Sequence, residues 1–241
     1  MGKDLGGKYS GEQTLRQGCS DQCVPAPESE QKMEKARQAR LILFTRYPEP
    51  GRAKTRLIPA LGAEGAAALQ RRMSETIVAR MVRFAGKYPV GLEIRYTDGN
   101  QQAMAAWLSG GIPCLDQGEG GLGDRLRRAF AHAFAQGSRQ VVVIGADCPG
   151  LGPALFAQAF GGLESRDLVL GPAMDGGYYL VGLNRPAPAL FAGIPWGTGE
   201  VLAATLKQAH ELNLSTHLLE PLADVDRQED LRHFHCHPDP Q

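Results

Sequence analysis

The stretch Val141-Val142-Val143-Ile144-Gly145-Ala146-Asp147-Cys148-Pro149 constrains the fold more than any other in the chain. Four consecutive branched apolar residues leave no face for water, so the run reads as a strand buried on both sides of a helix-covered sheet. It then stops abruptly. Gly145 and Ala146 remove side-chain bulk, while Pro149 cannot donate to a ladder and holds Cys148 extended. Asp147 is left as a carboxylate at the carboxyl end of the strand, where ligands of open α/β sheets bind. The other role for such an Asp is to cap the helix expected over 151–160, and the sequence leaves both open.

A second continuously apolar run, Leu41-Ile42-Leu43-Phe44, opens the folded region. The loop after it contains Pro48, Pro50 and Gly51, which exclude a helix there, and carries Arg46, Arg52, Lys54 and Arg56. Lys plus Arg and Asp plus Glu both number 26, so the net charge is zero and nothing steers the chain toward nucleic acid or an anionic membrane. Four cations concentrated at a strand's carboxyl end in a neutral protein suit the phosphates of a nucleotide. A solvated basic loop is the plainer alternative. Lys54 and Arg56 are expected to face solvent across this cleft.

The remaining pattern alternates strand and helix. Leu69, Met73, Ile77, Met81 and Phe84 recur at helical spacing over 63–84, a strand is expected over 91–97, a helix over 100–108, a short strand over 112–115 and a helix over 125–135. This order argues for a parallel sheet flanked by helices. Gly118 to Gly123 fits the form G-x-G-x-x-G. Pro113 in the preceding run, with Asp116 and Glu119 nearby, favours a flexible loop over the site's mouth rather than a dinucleotide fingerprint. Further on, a strand over 167–172 is expected to end beside the strand of Asp147. Ala173-Met174-Asp175-Gly176-Gly177 follows it as a substrate-facing turn, or as a plain hairpin turn, before a strand over 178–181. Thr198 is placed as the N-cap of a helix running to Leu212. Asp224 and Asp226 flank Val225 on an extended segment and should face the same way, although Asp226 with Glu229 also fits a capping box.

The ends carry less information. Residues 1–39 are polar and broken by Gly-Gly and Pro-Ala-Pro, which suits a disordered extension with a short helix over 30–39; 236–241 reads as a tail. Cys19, Cys23, Cys114, Cys148 and Cys236 are odd in number and lack the C-x₂-C spacing of a zinc site, as expected of a chain in the reducing cytoplasm. The Cys19–Cys23 pair, and His233, His235 and His237 around Cys236, are read as bystanders. No run approaches the ~18 apolar residues of a membrane span.

Read in order, Phe44-Thr45-Arg46-Tyr47-Pro48-Glu49-Pro50-Gly51-Arg52-Ala53-Lys54-Thr55-Arg56-Leu57, Gly121-Leu122-Gly123, Gly145-Ala146-Asp147-Cys148-Pro149, Gly171 through Gly182 and Asp224-Val225-Asp226 resemble the DUF2064 family of GT-A-type transferases. The resemblance spans Leu41 to about Phe234. It implies an α/β protein with a three-layer α/β/α nucleotide-diphospho-sugar transferase (GT-A) fold and a mostly parallel central sheet, filling residues 40–235. It further implies a metal-dependent glycosyltransferase that uses a nucleotide-sugar donor and a small-molecule acceptor. The alternatives are a nucleotidyltransferase joining an NTP to a phosphorylated small molecule, and a non-catalytic nucleotide-binding module. Some members are linked with radical SAM proteins.

By position, the resemblance implies that Asp147 and Asp226 hold Mg²⁺ or Mn²⁺. It implies that Arg46, Gly51, Arg52, Lys54 and Arg56 hold the donor phosphates, and that Asp175 with Gly176 and Gly177 faces the sugar or acceptor. Asp147, Lys54 and Asp175 are the implied catalytic residues. The chain has Asp-Cys-Pro where a fuller Asp-x-Asp would stand, so the second metal carboxylate must come from elsewhere. Two hard carboxylates with retained waters suit Mg²⁺, and without metal their like charges should repel.

Overall fold

A computed structural model describes residues 38–108 and 110–235. Seven strands, β1 (Ala39–Arg46), β2 (Gly91–Thr97), β3 (Cys114–Asp116), β4 (Gln140–Gly145), β5 (Leu168–Pro172), β6 (Tyr178–Leu183) and β7 (Thr216–Leu218), form one sheet in the order β3-β2-β1-β4-β6-β5-β7. Every pairing is parallel except those of β6, which runs antiparallel to both β4 and β5. Val141 to Ile144 are almost wholly buried, as a run with no polar face requires. Each such side chain contributes about 1.5–3 kcal/mol relative to exposure.

The helices are α1 (Ile58–Lys87), α2 (Gln101–Trp107), α3 (Leu122–Ala135), α4 (Pro153–Gly162), α5 (Val201–Glu211) and the short α6 (Leu231–His235). Side chains alternate across β1, so Leu41 and Leu43 join Ile77, Met81 and Phe84 of α1 and Phe156 of α4 on one face. Ile42 joins Leu126 and Phe130 of α3 and Ala209 of α5 on the other. The result is the expected three-layer α/β/α architecture with a mostly parallel sheet. A smaller cluster ties Leu57, Leu69 and Met73 to Val225, locking the start of α1 to the segment that precedes α6. Among the described residues no helix is long and apolar enough to cross a membrane.

Polar groups also hold the sheet. Glu93 on β2, 1% exposed, accepts from Arg95 Nε at 2.6 Å and from Arg40 Nη1 at 3.4 Å, and Arg95 Nη2 lies 2.8 Å from His132 Nδ1 on α3. Gln117 caps the same region by donating to the carbonyls of Thr45 and Arg95.

Several expectations require correction. β5 does not lie beside β4: β6 turns back between them, so residues 173–177 do form a hairpin turn. Thr198 is not an N-cap. Its hydroxyl donates to the Pro195 carbonyl and accepts from Glu200 N, and α5 starts at Val201. α3 starts at Leu122 rather than Arg125, and the loop before it is pinned by Arg128, which donates to the carbonyls of Gln117 and Glu119. Strand β1 begins at Ala39, one residue inside the segment expected to be disordered. The capping box at 226–229 is shifted by one: Asp230 accepts from Arg227 N at 2.8 Å and Asp226 N at 3.2 Å, leaving the Asp226 carboxylate free of that duty. The expectations for 1–37, Cys236 and His237 lie outside the described residues.

Candidate functional site

At the carboxyl ends of β1 and β4 the chain leaves a cleft of about 550 Å³. Gly145, Ala146 and Asp147 form one lip of it, the last residue of β1 and the loop after it supply Arg46, Arg52, Lys54 and Arg56, and Asp226 closes it from the segment before α6. The parallel β1–β4 register sets Phe44 beside Gly145, so the basic loop and Asp147 emerge from adjacent strands at the same level. The cleft thus gathers the four cations singled out in the sequence and the two carboxylates, Asp147 and Asp226, expected to hold a metal; Asp175 and Asp224 do not line it.

Lys54 departs from expectation. Its side chain is 4% exposed, and Nζ sits 2.8 Å from Asp147 Oδ1 and donates to the Val225 carbonyl at 2.6 Å. Val225 N in turn donates to the Asp147 carbonyl at 2.9 Å. A backbone turn at Lys54 in the left-handed region, φ 48°, aims the side chain inward, and buried Ala53 and Leu57 anchor the loop on either side. Lys54 is therefore a buried tie between loop, lip and closing segment rather than a solvent-facing grip. Asp147, by contrast, is 52% exposed, and its Oδ2 has no partner among the described residues.

The other cations are paired less deeply. Arg56 is ion-paired to Asp226 at the surface. Arg46 Nε lies 3.3 Å from Asp98, and Arg52 is shared between Glu49 at 3.5 Å and Asp98 at 3.8 Å. Asp147 and Asp226 thus each face a cation instead of repelling one another bare. Among the described residues no three His, Cys, Asp or Glu side chains converge as a metal cage.

Asp175 stands at the rim, exposed, with Oδ1 accepting from Gly177 N at 2.8 Å. It is near enough to act electrostatically on Arg56 and Asp224. Gly176 has its own neighbour: at φ 89°, a Cβ there would lie 2.1 Å from the Gly199 carbonyl oxygen, and the Gly176 carbonyl accepts from Leu202 N at 2.9 Å. Its close approach is to this chain's own backbone. Gly51 turns the loop at φ 81° without lining the cleft. Asp224 is half-buried, and desolvation, then the charge of Asp175, raises its carboxyl above the ordinary carboxylate value.

Residues not singled out in the sequence complete the walls. Thr45 Oγ1 and Ser74 Oγ share a 2.7 Å hydrogen bond, and Gln70 Nε2 donates to both, forming a buried polar floor. Tyr178, against the edge of Trp196, and Arg125 at the first turns of α3 line the cleft as well. For Arg125 a readable signal existed, since it follows Asp124 directly, and neighbours one apart on a helix do not face each other, whereas Arg127 lies one turn from that carboxylate.

Residues 78–198 match the family described as "Uncharacterized protein conserved in bacteria (DUF2064)". That span holds Asp147 and Asp175 but neither the basic loop nor Asp226. A solved protein from Desulfovibrio desulfuricans G20, provisionally described as a nucleotide-diphospho-sugar transferase, is 33% identical; the similarity covers 80% of this chain and 84% of that one, with a TM-score of 0.74. Two more distant structures share the fold. The 4-diphosphocytidyl-2C-methyl-D-erythritol synthase of Anaerococcus prevotii DSM 20548 is 8% identical, with a TM-score of 0.57 over 86% of this chain and 98% of that one. Glucosyl-3-phosphoglycerate synthase of Mycobacterium tuberculosis, in complex with Mn²⁺, UDP and glucosyl-3-phosphoglycerate, is 13% identical, with a TM-score of 0.53 over 87% and 80%. No curated protein is significantly similar in sequence.

Proposed function

The chain belongs to the DUF2064 family, and on that premise we propose that it is a transferase of the nucleotide-diphospho-sugar type, moving a sugar from a nucleotide donor to a small-molecule acceptor. One observation carries the reading: cations and carboxylates interleave in a single cleft at the ends of the two central strands, as Lys54 with Asp147 and Arg56 with Asp226. The Desulfovibrio relative supports the class of donor.

In the proposed reaction an acceptor hydroxyl oxygen attacks the anomeric carbon. The bond from that carbon to the phosphate oxygen breaks, the nucleoside diphosphate leaves with the electron pair, and the hydroxyl proton passes to a carboxylate. Arg46, Arg52 and Arg56 bind the diphosphate by exchanging carboxylate partners for phosphate oxygens, and so offset the charge that grows on the leaving group. Lys54 holds Asp147 in place. Asp175, exposed at the rim, is the carboxylate assigned to the acceptor proton.

The donor chemistry also fits a divalent cation. Mg²⁺ or Mn²⁺ needs only one or two carboxylates when substrate phosphates and waters complete its shell, and Asp147, with Oδ2 open, and Asp226 are the residues that would hold it. When bound, such an ion would add charge neutralisation at the leaving diphosphate.

Nucleotidyl transfer is the second reading, favoured by the number of cations lining one cleft, which suits a triphosphate. A thermal-shift panel of nucleoside triphosphates and nucleotide sugars, with and without Mn²⁺, separates the two. A ligand at a hundred times its dissociation constant stabilises by about 2.7 kcal/mol. Stabilisation by a nucleotide sugar supports glycosyl transfer, and stabilisation confined to a triphosphate transfers the case to the second reading. A flat response to the whole panel rejects both.

A further inference from the structure

Five cations line the cleft, and four of them face carboxylates: Arg46 and Arg52 face Asp98, Lys54 faces Asp147 and Arg56 faces Asp226. Arg125 differs. Its guanidinium has no carboxylate or carbonyl partner among the described residues, and its Nε is buried with no acceptor. The neighbouring arginines on α3 are occupied, Arg127 by Asp124 at 2.6 Å and Arg128 by the carbonyls of the glycine-rich loop. Arg125 also belongs to the other helix layer: α3 packs on the Ile42 face of the sheet, whereas the basic loop runs into α1 on the Leu41 face. The Nη groups of Arg125, unlike its Nε, are neither buried nor hydrogen-bonded among the described residues, so they are the donors that an oxyanion in the cleft would meet, and an unpartnered guanidinium part-buried there is unfavourable in the unliganded protein.

We propose that Arg125 is a specificity-determining residue that binds an oxyanion of the acceptor, a phosphate or carboxylate, apart from the donor phosphates held by the loop after β1. The inference rests on the transferase reading for the word acceptor; the anion site itself rests on Arg125 alone. A planar guanidinium with free N–H groups pairs two oxygens of one such group at once. The acceptor class is therefore an anionic small molecule rather than a neutral sugar.

Inorganic phosphate and acetate, titrated separately into wild type and Arg125→Met, test this by calorimetry. The titrations are run with no nucleotide and with the best-stabilising nucleotide of the panel at saturation. Wild type should bind one of the two anions in addition to the nucleotide, with phosphate or acetate naming the class of acceptor. Arg125→Met should lose about tenfold to a hundredfold in that anion's affinity, because the contact is charge-assisted, while its nucleotide affinity stays within about threefold. Arg125→Lys should recover part of the loss. Without ligand, Arg125→Met should melt no lower than wild type, since the methionine leaves no donor unpaired.

Equal loss of nucleotide affinity in Arg125→Met would move the residue to the donor site and overturn the proposal. Competition between anion and nucleotide would do the same, as would no binding of either anion, or a lowered melting temperature with unchanged anion affinity. If no nucleotide stabilises the wild type, the transferase reading fails, while the titrations without nucleotide still decide the role of Arg125.

Discussion

Two regions of this protein hold charges in contact, and they do so in opposite ways. On the β2–α3 face, both oxygens of Glu93 are taken by Arg40 and Arg95, and Arg95 goes on to His132, all behind the sheet. In the cleft, Lys54 is equally buried, but its partner Asp147 is half exposed and keeps one oxygen open, and Arg56 meets Asp226 at the surface. A buried charge with both oxygens taken can do nothing but hold the fold. A charge anchored from below by a buried ammonium, with an oxygen facing solvent, can accept a second cation without giving up its position. The difference separates an ion network closed to solvent from one still open to it, which is what the proposed exchange of ligands requires.

Breaking the first region should cost the most. Glu93→Gln leaves two arginines without their anion beneath the sheet, and removing one member of a buried pair costs about 3–5 kcal/mol. Chemical denaturation should show that loss, with nucleotide affinity in the still-folded fraction unchanged. If affinity falls in step with stability, the two regions are not separable.

Asp147→Asn sharpens the contrast. Turnover should fall at least about a hundredfold, as when one electrostatic group is removed from a reacting centre. Stability should also fall, by about 1–3 kcal/mol and toward the lower end, because the amide no longer neutralises Lys54 while solvent still reaches the site. The bare sequence suggests the reverse, relief of repulsion between Asp147 and Asp226; the Lys54 contact changes the sign. A loss as large as that of Glu93→Gln would make the cleft pair structural as well.

The smallest effect is expected at Asp224. Its carboxyl value is raised, so ionising it disfavours the fold: its contribution is fully present below the unfolded value and is lost as pH rises through the folded one. Asp224→Asn should therefore raise the melting temperature slightly at neutral pH and leave it unchanged in acid, where wild type is already protonated. A lower melting temperature at neutral pH would mean that the charged form is held by a favourable partner.

What the sequence disclosed follows from how local each cause is. Strands β1 and β4 were legible because a continuously apolar run has few other fates, and the bounds of β2 match their alternation. The insertion of β6 was not, because strand order depends on which edges meet, and nothing within residues 167–183 records that the return strand would pair with Val141 to Ile144. In the site, the cations of the loop and the carboxylate after β4 were readable as a concentration of charge at strand ends. The burial of Lys54 was not, since it depends on a left-handed turn and on the carbonyl of Val225, 171 residues away. The capping alternative for Asp226 is the part that the structure corrects: Asp230, one position beyond the expected partner, takes that role.

The antiparallel strand has a consequence for how this protein could change. A one-way crossover fixes the loops on both of its ends, because altering either reroutes a helix. The β5–β6 ribbon instead brings Asp175 to the rim and returns by Tyr178 without leaving the cleft end of the sheet, so its tip can be rebuilt while β4 and its Asp stay where they are. Such freedom stops at Gly176, which is wedged against Gly199 at the start of α5. The backbone of Ala173 and Met174 is likewise tied to Leu222, so on the proposed reading the acceptor side can vary through the side chains of 173–175, whereas lengthening the tip past that wedge would require α5 to shift with it.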